Sequence, residues 1–250
     1  MGSLVQGIRE ALELTSFRAL FFGTLVMFTA WGVTTSLGLH LATYFWRVST
    51  ASMLTWGIGA AVGVYTGLGF WLRRANQTDK KQVFVEGGLL FVVATVVPPF
   101  LRVAGLWLEE SSSLYLPAWI LTTGVIAYFG IAASMVTGRS MMADVTDEDE
   151  VRTGRHRDGL FFGATSFAAK AFFGVGSLVA GIIFDLVGLA QGMRADEAPV
   201  TIIRDLGLTL GVSVLVLVGT SLLIFARYDL TRERVEALRT ILDARKPPRP

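Results

Sequence analysis

Gly159-Leu-Phe-Phe-Gly-Ala-Thr165-Ser166-Phe-Ala-Ala-Lys170-Ala-Phe-Phe-Gly-Val-Gly-Ser177-Leu-Val-Ala-Gly-Ile-Ile-Phe184 holds one charge in 26 residues. As a helix it is long enough to cross a hydrocarbon layer about 30 Å thick, which takes roughly 20 residues. It is apolar all round, without the alternation of a lipid-facing barrel strand, so a transmembrane helix is expected. Five further runs have the same character: 19–46, 51–72, 83–101, 114–138 and 206–226. The second, fourth and sixth of the six spans carry no charge except Arg139, just past the end of the fourth.

Composition agrees. Hydrophobic residues are 52% of the 250, charged residues only 17%, and mean hydropathy is +0.56. An ordinary soluble domain carries about 25% charge, so a soluble enzyme, a fibrous protein and a disordered chain are all excluded. A net charge of +2 is too small to imply a nucleic-acid partner. The absence of cysteine removes disulfides, thiolate metal sites and cysteine nucleophiles, and two histidines, His40 and His156, are too few for a histidine metal cluster. No metal site is expected. No deep acid–base pair or nucleophile–base set points to an enzyme.

The loop charges set the direction of threading. Seventeen of the 22 Lys and Arg residues fall on the side of the N-terminus, in four groups: Arg9 and Arg18, 73–81, 139–157 and 227–249. Four fall on the other side: Arg47, Arg102, Arg194 and Arg204. This bias predicts both termini in the cytoplasm, in a multi-pass protein of the cytoplasmic (inner) membrane. Aromatic residues near the outer ends (Tyr44, Trp46, Trp107, Tyr115, Trp119) suit an interfacial belt. No cleavable signal peptide is evident. The chain divides into a cytoplasmic juxtamembrane segment (1–16), a six-helix bundle (17–228) and a cytoplasmic amphipathic tail (229–250). In the tail, Val235, Leu238, Ile241 and Leu242 form one face, suited to a membrane surface or a docking partner, and Pro247 and Pro248 end the helix.

Gly59, Gly63 and Gly67 recur every four residues, and Gly159/Gly163, Ser177/Gly181 and Gly207/Gly211 do likewise; small residues at this spacing let backbones approach closely. Pro98, Pro99 and Pro117 read as end or kink residues. The motif Leu20-Phe21-Phe22-Gly23 recurs as Leu160-Phe161-Phe162-Gly163. An inverted 3+3 repeat would place its copies on the first and fourth spans, whereas these lie on the first and fifth, so the match reads as chance.

Lys170 is the one deep charge. It lies ~16 Å from Gly159 and ~21 Å from Phe184 at 1.5 Å per residue. A cation there costs at least ~2.5–3.5 kcal/mol to insert and normally faces a protein interior or aqueous cavity. Its stem of ~6 Å is too short to snorkel out of a layer ~30 Å thick. No Asp or Glu lies comparably deep, so a group from another chain, a substrate or deprotonation must meet the charge. Ser166, at i−4, shares its face, and Thr165 is adjacent. Hydroxyls beside an ammonium suit a polar, multi-hydroxyl ligand such as a sugar; hydroxyls bonding back to helix carbonyls are the alternative.

Met141-Met142-Ala143-Asp144-Val145-Thr146-Asp147, then Glu150, Thr153-Gly154-Arg155, Asp158-Gly159, Phe167, Lys170 and Asp185-Leu-Val-Gly188 together resemble the glycoside–pentoside–hexuronide:cation symporters. These form the melibiose-type branch of the major facilitator superfamily. The resemblance implies an all-α polytopic fold, half of a major-facilitator-type bundle, matching helices seven to twelve. It implies cation-coupled symport of a sugar or related polar solute by alternating access, with no cofactor and a coupling Na+ or H+ bound mainly by a complementary six-helix N-terminal half. Lys170 matches the family's lysine on helix eleven, and Thr165 and Ser166 fall among its sugar-lining positions. Thr137 falls near the position of the family's helix-ten tryptophan. The charged stretch 144–157 reads either as a solvated loop or as an inner gate, in which Asp144, Asp147 and Arg155 pair with the other half and release as the site opens. The family also resembles animal lipid carriers, so a lysolipid or other amphiphile is an alternative substrate class. A non-transporting membrane subunit or truncated fragment is the alternative from a different class. The expected partners are the lipid bilayer, a small polar solute and the complementary half.

The threading has a direct check. Cysteines placed at Ser112 and Gly192 react with an impermeant thiol reagent added outside intact cells, and one at Asn76 does not; the opposite pattern inverts the topology.

Overall fold

The structure is a computed structural model that describes residues 7, 9–189, 193 and 198–245. The expected outer charge Arg194, the residue Gly192 and the helix stop at Pro247 and Pro248 lie outside the described residues. Every regular element among the described residues is helical. Six helices are long and apolar enough to cross a membrane. These are α1 (Thr15–His40, continued by a π-helical segment Leu41–Phe45), α2 (Thr50–Gln77), α3 (Lys80–Val103), α4 (Tyr115–Thr153), α5 (Asp158–Val187) and α6 (Val200–Phe225). A seventh helix, α7 (Arg232–Arg245), follows at the end where α1 begins.

The expected spans are all present, and most run longer than the apolar window because polar ends stay helical. The largest difference is in α4, which continues through Thr153, so most of the stretch expected as a loop is helix. Its carboxylates do not unwind it, because each is held by a cation or hydroxyl from another segment, as described below. It stops at Gly154, whose φ of 67° closes the helix in the left-handed conformation. Pro98 and Pro99 sit inside α3 near its end. Pro117 occupies the first turn of α4, where its missing N–H has no helical partner to lose. A second π-helical segment, Ile120–Ile126, lies within α4.

Packing shows a symmetry hidden in the residue letters. Helix α1 packs along α5 and α6, α4 packs along α2 and α3, and α3 packs against α6. Exchanging the first three helices with the last three maps this set onto itself, as an inverted repeat requires. The repeated Leu-Phe-Phe-Gly falls on α1 and α5, which are not symmetry mates, consistent with chance. The windows of α2 and α5 are each 22% buried, against 56% for α3. The first two are therefore flanking helices with open faces, and α3 forms part of the core.

Lipid offers no hydrophobic drive for helices to associate, so close approach must come from small side chains. A Cβ on Gly63 would overlap the Val125 carbonyl, and one on Gly67 would press on Ala132 and the Phe129 carbonyl, sealing α2 to α4. Gly32 and Gly176 face each other across α1 and α5, each against a backbone carbonyl (Phe173 and Thr29). Gly87 and Gly130 do the same for α3 and α4. Gly207 and Gly211 make room for the rings of Phe45 and Phe100. By contrast, a Cβ on Gly159, Gly163 or Gly181 would meet nothing within 4 Å, so those spacings do not mark seams.

Replacing Gly63 or Gly32 by Leu is expected to cost about 1–3 kcal/mol through overpacking at a seam that cannot yield. Gly181→Leu should be nearly neutral. Thermal unfolding of the three variants in lipid nanodiscs measures the contrast, and equal losses would refute the seam assignment.

Candidate functional site

Two regions hold the polar residues singled out above. The first is the open face of α5. Lys170 and Ser166 are exposed on it, and Lys170 has no ion pair or hydrogen bond among the described residues. Thr165 is half-buried, and its hydroxyl donates to the Phe161 carbonyl at 2.8 Å. Thr137 is fully buried within α4 and donates to the Ala133 carbonyl at 2.8 Å. The fold therefore brings Lys170, Ser166 and Thr165 to one stretch of α5 and places Thr137 apart, inside the bundle. Along the same helix Ser177 meets Ser36 of α1 at 3.0 Å, and the ring of Phe173, one turn beyond Lys170, meets Trp31 edge to face at 6.0 Å.

Beside that face, between α1 and α4, is a cleft of about 390 Å³. Trp31, Trp56, Trp119 and Tyr128 supply much of its wall, and none of Lys170, Ser166, Thr165 or Thr137 lines it. Of these aromatic residues only Trp119 reads from the sequence as part of an interfacial belt, and the space itself leaves no local signal because it lies between helices.

The second region is the charged end of α4. Asp144 is 1% exposed and is held by Lys80 at 2.5 Å and Arg239 at 3.2 Å. Asp147 also faces Arg239, at 3.5 Å. Glu148 takes Arg234 at 2.6 Å and the Ser16 hydroxyl. Asp149 accepts a two-pronged guanidinium from Arg157, whose remaining arm reaches Glu10 at 2.7 Å. The Asp149 hydrogen bonds lead in raising the Arg157 pKa, so this cation stays charged. Arg155 has an exposed side chain with no ion pair among the described residues.

Two of these cations, Arg234 and Arg239, come from α7, which also supplies Arg245. Arg245 donates to the carbonyls of Glu150 and Val151, while Val235 and Leu238 pack into the apolar cluster at this end. The tail helix thus lies on its own chain, with Ile241 left exposed, a third outcome beside the membrane surface and a separate partner.

The opposite end is tied by Arg102, which donates to the Tyr115 hydroxyl at 2.6 Å, pairs with Glu110 at 2.6 Å and lies over the rings of Phe45 and Trp46. His40 stacks near Phe184 and Tyr44 at that end, far from His156 in the 154–157 turn.

His156 pairs with Glu150 at 2.7 Å and Asp158 at 3.1 Å. The Glu150 hydrogen bond and then the two carboxylate charges raise its pKa above the ordinary 6.5. A raised folded value means that the stability this pairing adds is fully present below 6.5 and is lost as pH rises through the higher folded value. Titration of the imidazole by NMR should show that upward shift, and Glu150→Gln should reverse most of it. Removing the buried carboxylate with Asp144→Ala strands Lys80 and leaves Arg239 with Asp147 alone. Both cations reach water, so the expected loss is about 1–3 kcal/mol, below the range for a fully enclosed pair. Thermal unfolding would expose the error if Asp147→Ala cost as much.

Comparison with known proteins follows the same lines. An uncharacterized symporter of Synechocystis sp. is 25% identical over 130 residues, 52% of this chain and 22% of that protein. A putative glycoside/cation symporter of Escherichia coli, YagG, is 32% identical over 98 residues, 39% of this chain and 21% of that protein. Each aligned stretch is thus about a fifth of the relative's length. A family model described as MFS/sugar transport protein matches residues 1–232, and with its six apolar helices the chain belongs to that family of membrane transporters.

Proposed function

We propose that the chain forms a six-helix half, equivalent to helices seven to twelve, of a melibiose-type symporter that couples entry of a glycoside or related polar solute to a cation gradient. The observation that carries the reading is Lys170: a mid-span cation on the open face of α5, without an ion-pair partner among the described residues. Such a charge is costly against lipid and favourable against a polar ligand or a facing carboxylate. Ser166, exposed one turn earlier on the same face, adds a hydroxyl suited to a sugar. The putative glycoside/cation symporter among the relatives supports the same solute class.

In this reading the α5 face fronts the complementary half, on the same polypeptide or another, and that half supplies the carboxylates for Na+ or H+. Asp144, Asp147 and Arg155 form the cytoplasmic gate. Arg155 reaches toward the other half, while Lys80 and Arg239 restrain the two acids. The basic end, with both termini, faces the cytoplasm across the inner membrane. Two copies of this chain facing each other would be a poor transporter. At ~10 Å and an effective dielectric of ~20, two Lys170 charges repel by about 1.7 kcal/mol, and no deep carboxylate offsets them.

Lys170→Leu in the complete assembly should abolish gradient-driven uptake into vesicles, while membrane insertion is kept or improved. Full uptake by that variant would retire the assignment. The purified chain alone in proteoliposomes should show no ion-driven uptake.

A further inference from the structure

The end of the bundle opposite α7 carries a second cavity, of about 640 Å³, that shares no lining residue with the cleft between α1 and α4. The end of α1, the end of α3, the connection 107–111 and the start of α6 meet there. Its charged and polar side chains divide into spent and free. Arg102 is spent on Glu110 and the Tyr115 hydroxyl, both at 2.6 Å. The Ser111 hydroxyl goes to Glu109 at 3.3 Å. Arg204 gives its Nε and Nη2 to Asp205, the next residue, at 3.0 and 2.9 Å, which leaves Nη1. Arg47 makes no hydrogen bond among the described residues and stands 4.0 Å from Glu110, which therefore lies between two guanidiniums. The Trp107 N–H is buried and has no acceptor among the described residues. The cavity thus keeps free donors on Arg47, Arg204 and Trp107, and one carboxylate, Glu109, that meets no cation among the described residues.

Two backbone features agree. Arg47 has a φ of 51°, the one positive value at a non-glycine among the described residues. At the ends of α3, α4 and α5 that conformation falls to Gly105, Gly154 and Gly188, which adopt it without strain. A guanidinium is therefore held at the cavity where the backbone favours glycine. Helix α6 starts in the same wall with no side-chain cap and no acid in its first turn, so the positive end of its dipole adds to the arginines.

The surroundings define what reaches this cavity. Trp46, Trp107 and Tyr115 place it at the layer between hydrocarbon and water. Its neighbourhood is apolar and open: Leu106 is 74% exposed and Val200, in the wall, 77%. From there the seam between α3 and α6 runs into the span. The Phe100 ring rests on Gly211 in that seam, and Val93 and Val97 of α3 and Val212 and Val216 of α6 stand exposed.

We propose that this cavity holds the headgroup of an ethanolamine phospholipid, with its acyl chains along the α3–α6 seam. The phosphodiester oxygens accept from Arg47, Arg204 and the Trp107 N–H, and the primary ammonium donates to Glu109. Charge complementarity makes the choice. A headgroup with only the phosphate would leave Glu109 unpaired beside a second anion, and a choline headgroup has no N–H to give it. A phosphate-free galactolipid brings hydroxyls where the wall presents charged donors. The inference uses only the membrane-spanning fold and is independent of the symport reading.

Native mass spectrometry of the purified chain, titrated with dioleoyl lipids, reads the selectivity. Phosphatidylethanolamine should bind about fivefold or more tighter than phosphatidylcholine and phosphatidylglycerol, and tighter still than monogalactosyldiacylglycerol. Glu109→Gln should remove the advantage over phosphatidylcholine and leave that of phosphatidylcholine over the galactolipid. Arg47→Gln with Arg204→Gln should weaken the phospholipids by about tenfold and leave the galactolipid unchanged. Trp107→Phe, which keeps a ring and removes the N–H, should weaken the phospholipids alone, by about threefold. That variant decides the matter if the double variant is not monodisperse. Equal binding of all the lipids, or a selectivity that none of these variants moves, overturns the site. Phosphatidylglycerol outbinding phosphatidylethanolamine overturns the ethanolamine choice in favour of an anionic headgroup. Displacement of the lipid by O-phosphoethanolamine at a matching concentration means that the tails add nothing, and overturns the lipid in favour of a soluble phosphate.

Discussion

Backbone-to-backbone contact at glycines holds this bundle together. In water, six apolar helices would be pressed together by the solvent. In a bilayer their surfaces are as comfortable against lipid as against one another, so association depends on how closely the backbones fit. Gly63 and Gly67 set α2 on α4, Gly87 and Gly130 set α3 on α4, and Gly32 and Gly176 set α1 on α5. With α4 clasped by α2 and α3, and α1 by α5 and α6, the two central helices are positioned by their neighbours and touch each other little. The cleft between α1 and α4 follows from that arrangement.

The ends of the bundle are fastened differently. At the basic end, α7 and the 154–157 turn neutralise the acidic end of α4, so that Asp144 can be buried and the helix can run well past its apolar window. At the other end, Arg102 joins α3 to the start of α4 and the end of α1 through Tyr115, Phe45 and Trp46. Tyr115 passes the link on by donating to the Trp46 carbonyl at 2.8 Å. One end is closed by a network of charges whose cations reach water, and the other chiefly by Arg102 among rings. They would therefore respond differently to salt, which screens the first far more than the second.

Much of the architecture was legible in the residues: six spans, the segregation of cations to one end, the depth of Lys170 and the α2 glycine seam at Gly59, Gly63 and Gly67. These follow from local rules, because length, hydropathy and the 3.6-residue period act within one helix. Other features were decided by tertiary contact alone. The symmetric pairing exists in which helices touch, and many different letters satisfy the same close approach. Gly159, Gly163 and Gly181 carry the small-residue spacing without a neighbour to use it, whereas Gly32 and Gly176, distant in sequence, meet. The charged stretch from Asp144 reads from its composition as a solvated loop or an inner gate, and only the fold brings Lys80, Arg234 and Arg239 to its acids. The cleft, finally, is a space between helices. A sequence fixes what each helix presents, but a gap between helices arises only when the backbones take their places.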